Sequence, residues 1–99
     1  MNPKRIGSYK TQYKLVSGFL QGEKYTALTA STLLDTTRLT NNIIQCERDG
    51  LEIIHKEIPN DGKRPYMQYA IKDTPENIKK AYELMAFYRV KANIKKAAI

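Results

Sequence analysis

The residues best equipped for chemistry lie between Asp35 and Gly50, in DTTRLTNNIIQCERDG, where threonines, amides and two arginines outnumber the apolar side chains. An amide can pair with adenine N6 and N7, and an arginine with guanine O6 and N7. With Leu39, Ile43 and Cys46 turned inward at helical spacing, Thr37, Arg38, Asn41, Gln45 and Arg48 fall on the opposite side. Asn41 and Gln45, four apart, project one above the other. A merely solvated face usually carries more Lys and Glu, so this one is expected to read DNA bases. Ile44 lies at its edge, placed to pack under a neighbouring element or to touch a thymine methyl.

Other side chains suit phosphate. Lys63 and Arg64 occupy a predicted turn, Lys10 and Lys14 a predicted first helix, and Thr29 the start of a second. Lys4 and Arg5 could add contacts from the amino-terminal arm. Catalysis finds little support. His55 stands alone in a predicted strand, and Cys46 reads as a small core residue without a base beside it. No Gly-rich phosphate loop occurs. The expectation is a protein that is not an enzyme and has no metal or cofactor.

The chain has 99 residues and a formal net charge of +7. That length suits one small domain with a modest core. The charge suits a polyanionic partner, double-stranded DNA before a membrane. It is unevenly spread: residues 1–25 carry five basic and one acidic side chain, but residues 26–50 carry two and three. Attraction to phosphate must therefore come mostly from outside the amide-rich stretch. No apolar run approaches the ~18 residues of a membrane span. No apolar stretch follows the basic start, so no signal peptide is expected. With one cysteine, no internal disulfide forms, which suits the cytoplasm.

These side chains need elements to hold them. Ser8 to Gln21 reads as a helix, capped by Ser8, closed by Gly22, with Tyr9, Tyr13, Val16 and Leu20 as its stripe. A short helix follows, with Thr29 as its N-cap, then a third from about Thr36 to Asp49, with Asp35 and Thr36 at the turn and Gly50 at the end. Leu51 to Ile58 and Tyr66 to Lys72 read as strands of a hairpin, joined by the loop Pro59–Pro65, with Met67, Tyr69 and Ile71 on one face. Thr74-Pro75-Glu76 starts a long helix reaching about Ala97. Its stripe is Ile78, Ala81, Tyr82, Met85, Tyr88 and Ala92. A second line, Phe87, Val90 and Ile94, runs nearly opposite, as for a helix packed on two things, the second being another copy.

Three helices followed by a hairpin and a long helix predict a mainly α (α+β) fold. It is a winged helix-turn-helix domain over residues 1–73, with a carboxyl-terminal helix over 74–99 for packing and dimerisation. In addition, Thr26-Ala27-Leu28-Thr29-Ala30, Arg38-Leu39, Ile43, Arg48-Asp49-Gly50 and Ile53, then Lys63-Arg64 and Tyr69-Ala70-Ile71, resemble the helix-turn-helix domains of a group of small phage and prophage proteins. The resemblance covers roughly Tyr25 to Ile71 and implies the fold more firmly than a duty. Where that family usually has a turn glycine, this chain has Asp35.

The expected function is site-specific binding of double-stranded DNA by a dimeric, phage-type transcription regulator in the host cytoplasm, acting by occupancy. The alternatives are a winged-helix module that binds or inhibits a host or phage protein, and an excisionase-like protein that bends DNA.

Overall fold

Ser8 sits in extended backbone and its Oγ accepts the Thr11 N–H at 3.1 Å, which starts the helix α1 (Tyr9–Leu20). Gly22, at φ +90°, turns the chain out of it. This is a computed structural model, and it describes residues 8–34, 36 and 38–93. Lys4, Arg5, Asp35, Thr37 and Ile94 lie outside the described residues. Both ends of α1 match the expectation, but of its expected stripe only Val16 is fully buried. Gln12, Leu15, Val16, Gly18 and Phe19 are buried, while Tyr9, Tyr13 and Leu20 only flank the core. The expected stripe ran along one edge of a wider face, whose middle is occupied by a polar residue, Gln12.

The helix α2 (Ala27–Leu33) starts earlier than expected. Thr26, not Thr29, is its N-cap. Thr26 Oγ1 accepts the Thr29 N–H at 3.3 Å, and Thr29 Oγ1 accepts the Thr26 N–H at 2.8 Å. This reciprocal pair satisfies two donors that a helix start leaves open. The helix α3 (Leu39–Arg48) starts later than expected. Thr36 stays outside it, where Thr36 Oγ1 accepts both the Arg38 N–H at 3.1 Å and the Asn42 amide at 3.2 Å. Gly50, at φ +105°, ends α3 as expected.

The strands β1 (Ile53–Asn60) and β2 (Lys63–Ile71) pair antiparallel, with Ile53 opposite Ile71 and Ile58 opposite Tyr66. The expected loop from Pro59 to Pro65 is instead mostly strand, and the chain turns at Asp61 and Gly62. The register slips between Ile58 and Asn60. Pro59 and Pro65 lie at that slip, where the ladder can do without their missing N–H groups. The sequence also hid a cross-link: Tyr25 donates to the Tyr69 carbonyl at 2.9 Å, and Tyr69 to the Tyr25 carbonyl at 2.7 Å. The segment before α2 is thereby stitched to β2. Tyr25 also lies so close to α1 that any Cβ at Gly18 would collide with its hydroxyl.

The helix α4 (Pro75–Lys91) opens with Thr74 Oγ1 accepting the Asn77 N–H at 3.3 Å. Its buried residues are Asn77, Ala81, Leu84 and Tyr88, whereas Tyr82, expected inside, is 56% exposed. Ala81, Leu84 and Tyr88 join Leu15, Phe19, Ile43 and Cys46 in one core, so α4 packs with α1 and α3. The described part is mixed α+β, with four helices and a two-stranded hairpin.

Asn77 holds the base of the hairpin. Its Oδ1 accepts the Glu52 N–H at 2.8 Å, and its Nδ2 donates to the carbonyls of Glu52 at 2.8 Å and Lys72 at 2.7 Å. One side chain thus joins the strand that enters the hairpin to the segment that leaves it. Asn77→Ala should cost about 2–4 kcal/mol, the sum of three modest bonds and the groups left unpaired. Asn77→Asp should cost more, because a carboxylate cannot donate to the two carbonyls. Urea unfolding of the three proteins checks this order; an Asp variant as stable as wild type would refute it.

Candidate nucleic-acid interface

The outward face of α3 is set by what its inward face must hold. Leu39, Ile43 and Cys46 are buried as expected, but so are two amides, Asn42 at 3% and Gln45 at 7% exposure. Counting them inward turns the helix by about 40° from the expected phase, at 100° per residue. The face left outside comprises Thr40, Asn41, Ile44, Glu47 and Arg48. Asn41 and Arg48 therefore stand where expected, Asn41 half-buried and Arg48 exposed. Arg38 is exposed just ahead of the first turn.

Gln45 does not stand on that face. Its amide donates to Asp49 Oδ1 at 3.2 Å, an i, i+4 pair on the inner side of the helix. Thr40 and Glu47 were missed for the same reason that Gln45 was included. Apolar periodicity cannot count a polar side chain as inward. The available signal was local: Gln45 has Asp49 one turn on, and Asn42 has Thr36 before the helix.

A groove of about 440 Å³ runs between the start of α3 and the hairpin. Ala27, Arg38, Thr40 and Asn41 line one wall, and Tyr66, Met67 and Tyr69 the other. Tyr66 is 45% exposed where it lines the groove. The far side of α3 is also tied to the hairpin. His55 Nε2 meets Glu47 Oε2 at 3.0 Å, and the His55 ring stands edge-on to Tyr69 at 5.0 Å. The acid on the outward face is thus turned toward the hairpin.

The basic residues are spread out. Lys63 and Arg64 are exposed at the start of β2, beside the turn. Lys10 and Lys14 are exposed on α1, and Lys14 borders a separate depression with Ser17, Gln21 and Leu33. The structure therefore brings Arg38 and Asn41 together beside the hairpin but does not bring Lys14 to that groove. Thr29 is half-buried, with its hydroxyl already engaged with Thr26. Phe87, expected to meet a second copy, makes a T-shaped contact with Tyr9, ring centres 5.9 Å apart, and is 43% exposed. Val90 is 71% exposed.

The phase of α3 is held from below by a buried polar cluster. The fully buried Tyr88 donates its hydroxyl to Asp49 Oδ2 at 2.6 Å, while Gln45 holds the other carboxylate oxygen. Gln12 Nε2 donates to Cys46 Sγ at 2.9 Å. Burial pushes the Tyr88 phenol well above the ordinary value, with the nearby Cys46 and the bond to Asp49 adding to it.

Among the described residues, no three His, Cys, Asp or Glu side chains come together as metal ligands. No helix among them is long and apolar enough to cross a membrane. Comparison with protein families, with curated proteins and with solved structures finds no match.

Tyr88 gives a pH-dependent test of this cluster. Its folded pKa lies above the ordinary 10.0, so the stability it contributes is complete below that pH and is lost as pH rises toward the folded value. Tyr88→Phe should be less stable by about 1.5–3 kcal/mol near neutrality, the range for a bond to a charged acceptor. Above pH 10.0 the gap should close by about 1.4 kcal/mol per pH unit, because only wild type carries the titrating phenol. Urea unfolding of both proteins across that range checks it; a constant gap would refute it.

Proposed function

We propose that this chain is a winged helix-turn-helix protein that binds double-stranded DNA at a specific site. On this reading α2 and α3 form the helix-turn-helix and the hairpin is the wing. The observation that carries it is the outward face of α3, where Thr40 and Asn41 line, with Arg38, a groove walled by the hairpin, and Arg48 is exposed at the other end of the helix. Such side chains suit base edges, and a helix of this size fits a major groove. Lys63 and Arg64, near the hairpin turn, supply phosphate or minor-groove contacts. The mechanism is occupancy rather than chemistry. The resemblance to small phage proteins supports a regulator of transcription, working in the cytoplasm.

The outer line of α4 supports self-association. Tyr82 and Val90 are more than half exposed on one side of the helix, away from the buried Ala81, Leu84 and Tyr88. A second copy packed there would present two α3 helices to two half-sites. Sedimentation should show a dimer for wild type and a monomer for Val90→Asp; a monomeric wild type would remove this part.

One observation favours a protein partner instead. Leu28, next to the groove residue Ala27, is 79% exposed, and Tyr66 and Met67 add apolar surface on the other wall. A salt titration against mixed DNA duplexes separates the two readings. DNA binding should be retained at ~50 mM salt and fall steeply as salt rises, through counterion release. Alanine at Asn41 or Arg48 should relax selectivity at one base pair, at a cost of about 1–3 kcal/mol. Alanine at Lys63 and Arg64 together should weaken all sequences alike and lower the salt slope by about 2. No retention at ~50 mM salt would leave the protein-binding module as the reading that stands.

A further inference from the structure

We infer that the outward face of α3 selects a thymine through its C5-methyl group, and that Ile44 is the side chain that reads it. This rests on the DNA-binding reading above and names the kind of site it would take. Ile44 occupies the middle of that face. Thr40 and Asn41 lie four and three residues before it, Glu47 and Arg48 three and four after it. It is 37% exposed, and it is not among the apolar residues packed against the core. It therefore keeps more than a third of its surface in water, and a partner lying on this face of α3 would cover it.

The chemistry of the major groove then narrows the choice. Every base pair presents donors and acceptors there, but the only methyl group belongs to thymine. An isoleucine set over any other base edge would cover polar groups without satisfying them, which is unfavourable. Set over thymine, it buries apolar surface on both sides. Asn41 lies one turn away, about 5–6 Å between Cβ atoms, and base pairs repeat every ~3.4 Å along the axis. Asn41 therefore reaches an adenine one or two base pairs from the thymine. Glu47 does not compete for that contact, because its carboxylate is turned to His55. The low charge of the face follows from the same assignment, since methyl recognition needs shape rather than charge.

Deoxyuridine provides the test, because it lacks the methyl and keeps every hydrogen-bonding group of thymine. A preferred duplex is first selected from a random pool at ~50 mM salt. Each thymine is then replaced by deoxyuridine, one at a time. One position per half-site should lose affinity about three- to fivefold, the effect of one methyl leaving an apolar contact. Ile44→Ala should bind the thymine and deoxyuridine duplexes equally, whereas Asn41→Ala should bind both more weakly and keep the ratio between them. Ile44 is partly buried, so the binding of its variant is compared at a temperature where circular dichroism shows both proteins fully folded. Site-specific binding with no sensitive thymine would overturn the inference and leave the DNA reading intact. A ratio that survives in Ile44→Ala would also overturn it. Retention of no duplex at all would remove both, and is thus distinguishable from either.

Discussion

A tyrosine hydroxyl buried in a small core needs a hydrogen-bond partner, and the one Tyr88 has orients the rest of this molecule. Its partner is Asp49, at the carboxyl end of α3, 2.6 Å away. The carboxylate has a second oxygen to satisfy, and Gln45 supplies the donor from one turn back. Drawing Gln45 inward fixes the rotation of α3 about its own axis. Asn42 then also falls inside, with Thr36 as its partner, and Ile44 falls outside. The outward face of α3 is thus a consequence of how α4 is anchored, although α4 contributes nothing to that face.

The hairpin is positioned by attachments of different kinds. Asn77 holds both chain segments at its base from α4. The Tyr25–Tyr69 bridge holds β2 from the start of α2. The contact of His55 with Glu47 holds β1 from α3. Every attachment lies toward the base, and from Pro59 to Tyr66 both strands are largely exposed. The groove beside α3 is therefore firm where Tyr69 lines it and open where Tyr66 and Met67 do. A wall of that kind suits a surface that must accept a partner near its rim without losing its register near the core.

Much of this frame was legible in the sequence, because its signals are local. Ser8, Gly22, Gly50 and Thr74-Pro75 marked helix ends by properties each residue carries alone: a hydroxyl, a missing Cβ, a fixed φ. Met67, Tyr69 and Ile71 marked a strand face by alternation. What was not legible depends on the contacts of polar side chains. Gln12, Asn42, Gln45 and Asn77 are polar and buried; the fold brings Gln12 to Cys46 and Asn77 to Glu52, while Asn42 and Gln45 meet nearby partners that apolar periodicity does not weigh. Apolar periodicity passes over such residues, which shifted the α3 face and misplaced Tyr82. The prolines misled in another way. Pro59 and Pro65 read as loop residues, yet both fit the strands where the register slips and no N–H is required.

The distribution of charge gives the proposed interface its character. Long-range attraction to a polyanion needs only net positive charge near it, and Lys63, Arg64 and the basic residues of α1 and α4 can supply that at a distance. Contact with base edges needs the reverse, a face whose groups act only when shape and hydrogen bonding match. Thr40, Asn41 and Ile44 are uncharged, Glu47 is occupied by His55, and Arg48 remains as the cation in their midst. A strongly basic α3 would hold every sequence firmly and dilute the differences between them. On the proposed DNA-binding reading, separating attracting from reading residues would let salt tune affinity while the α3 face kept its preference. The buried amides leave the outer face of α3 smaller, and because both are neutral its charge is set by Glu47 and Arg48 alone.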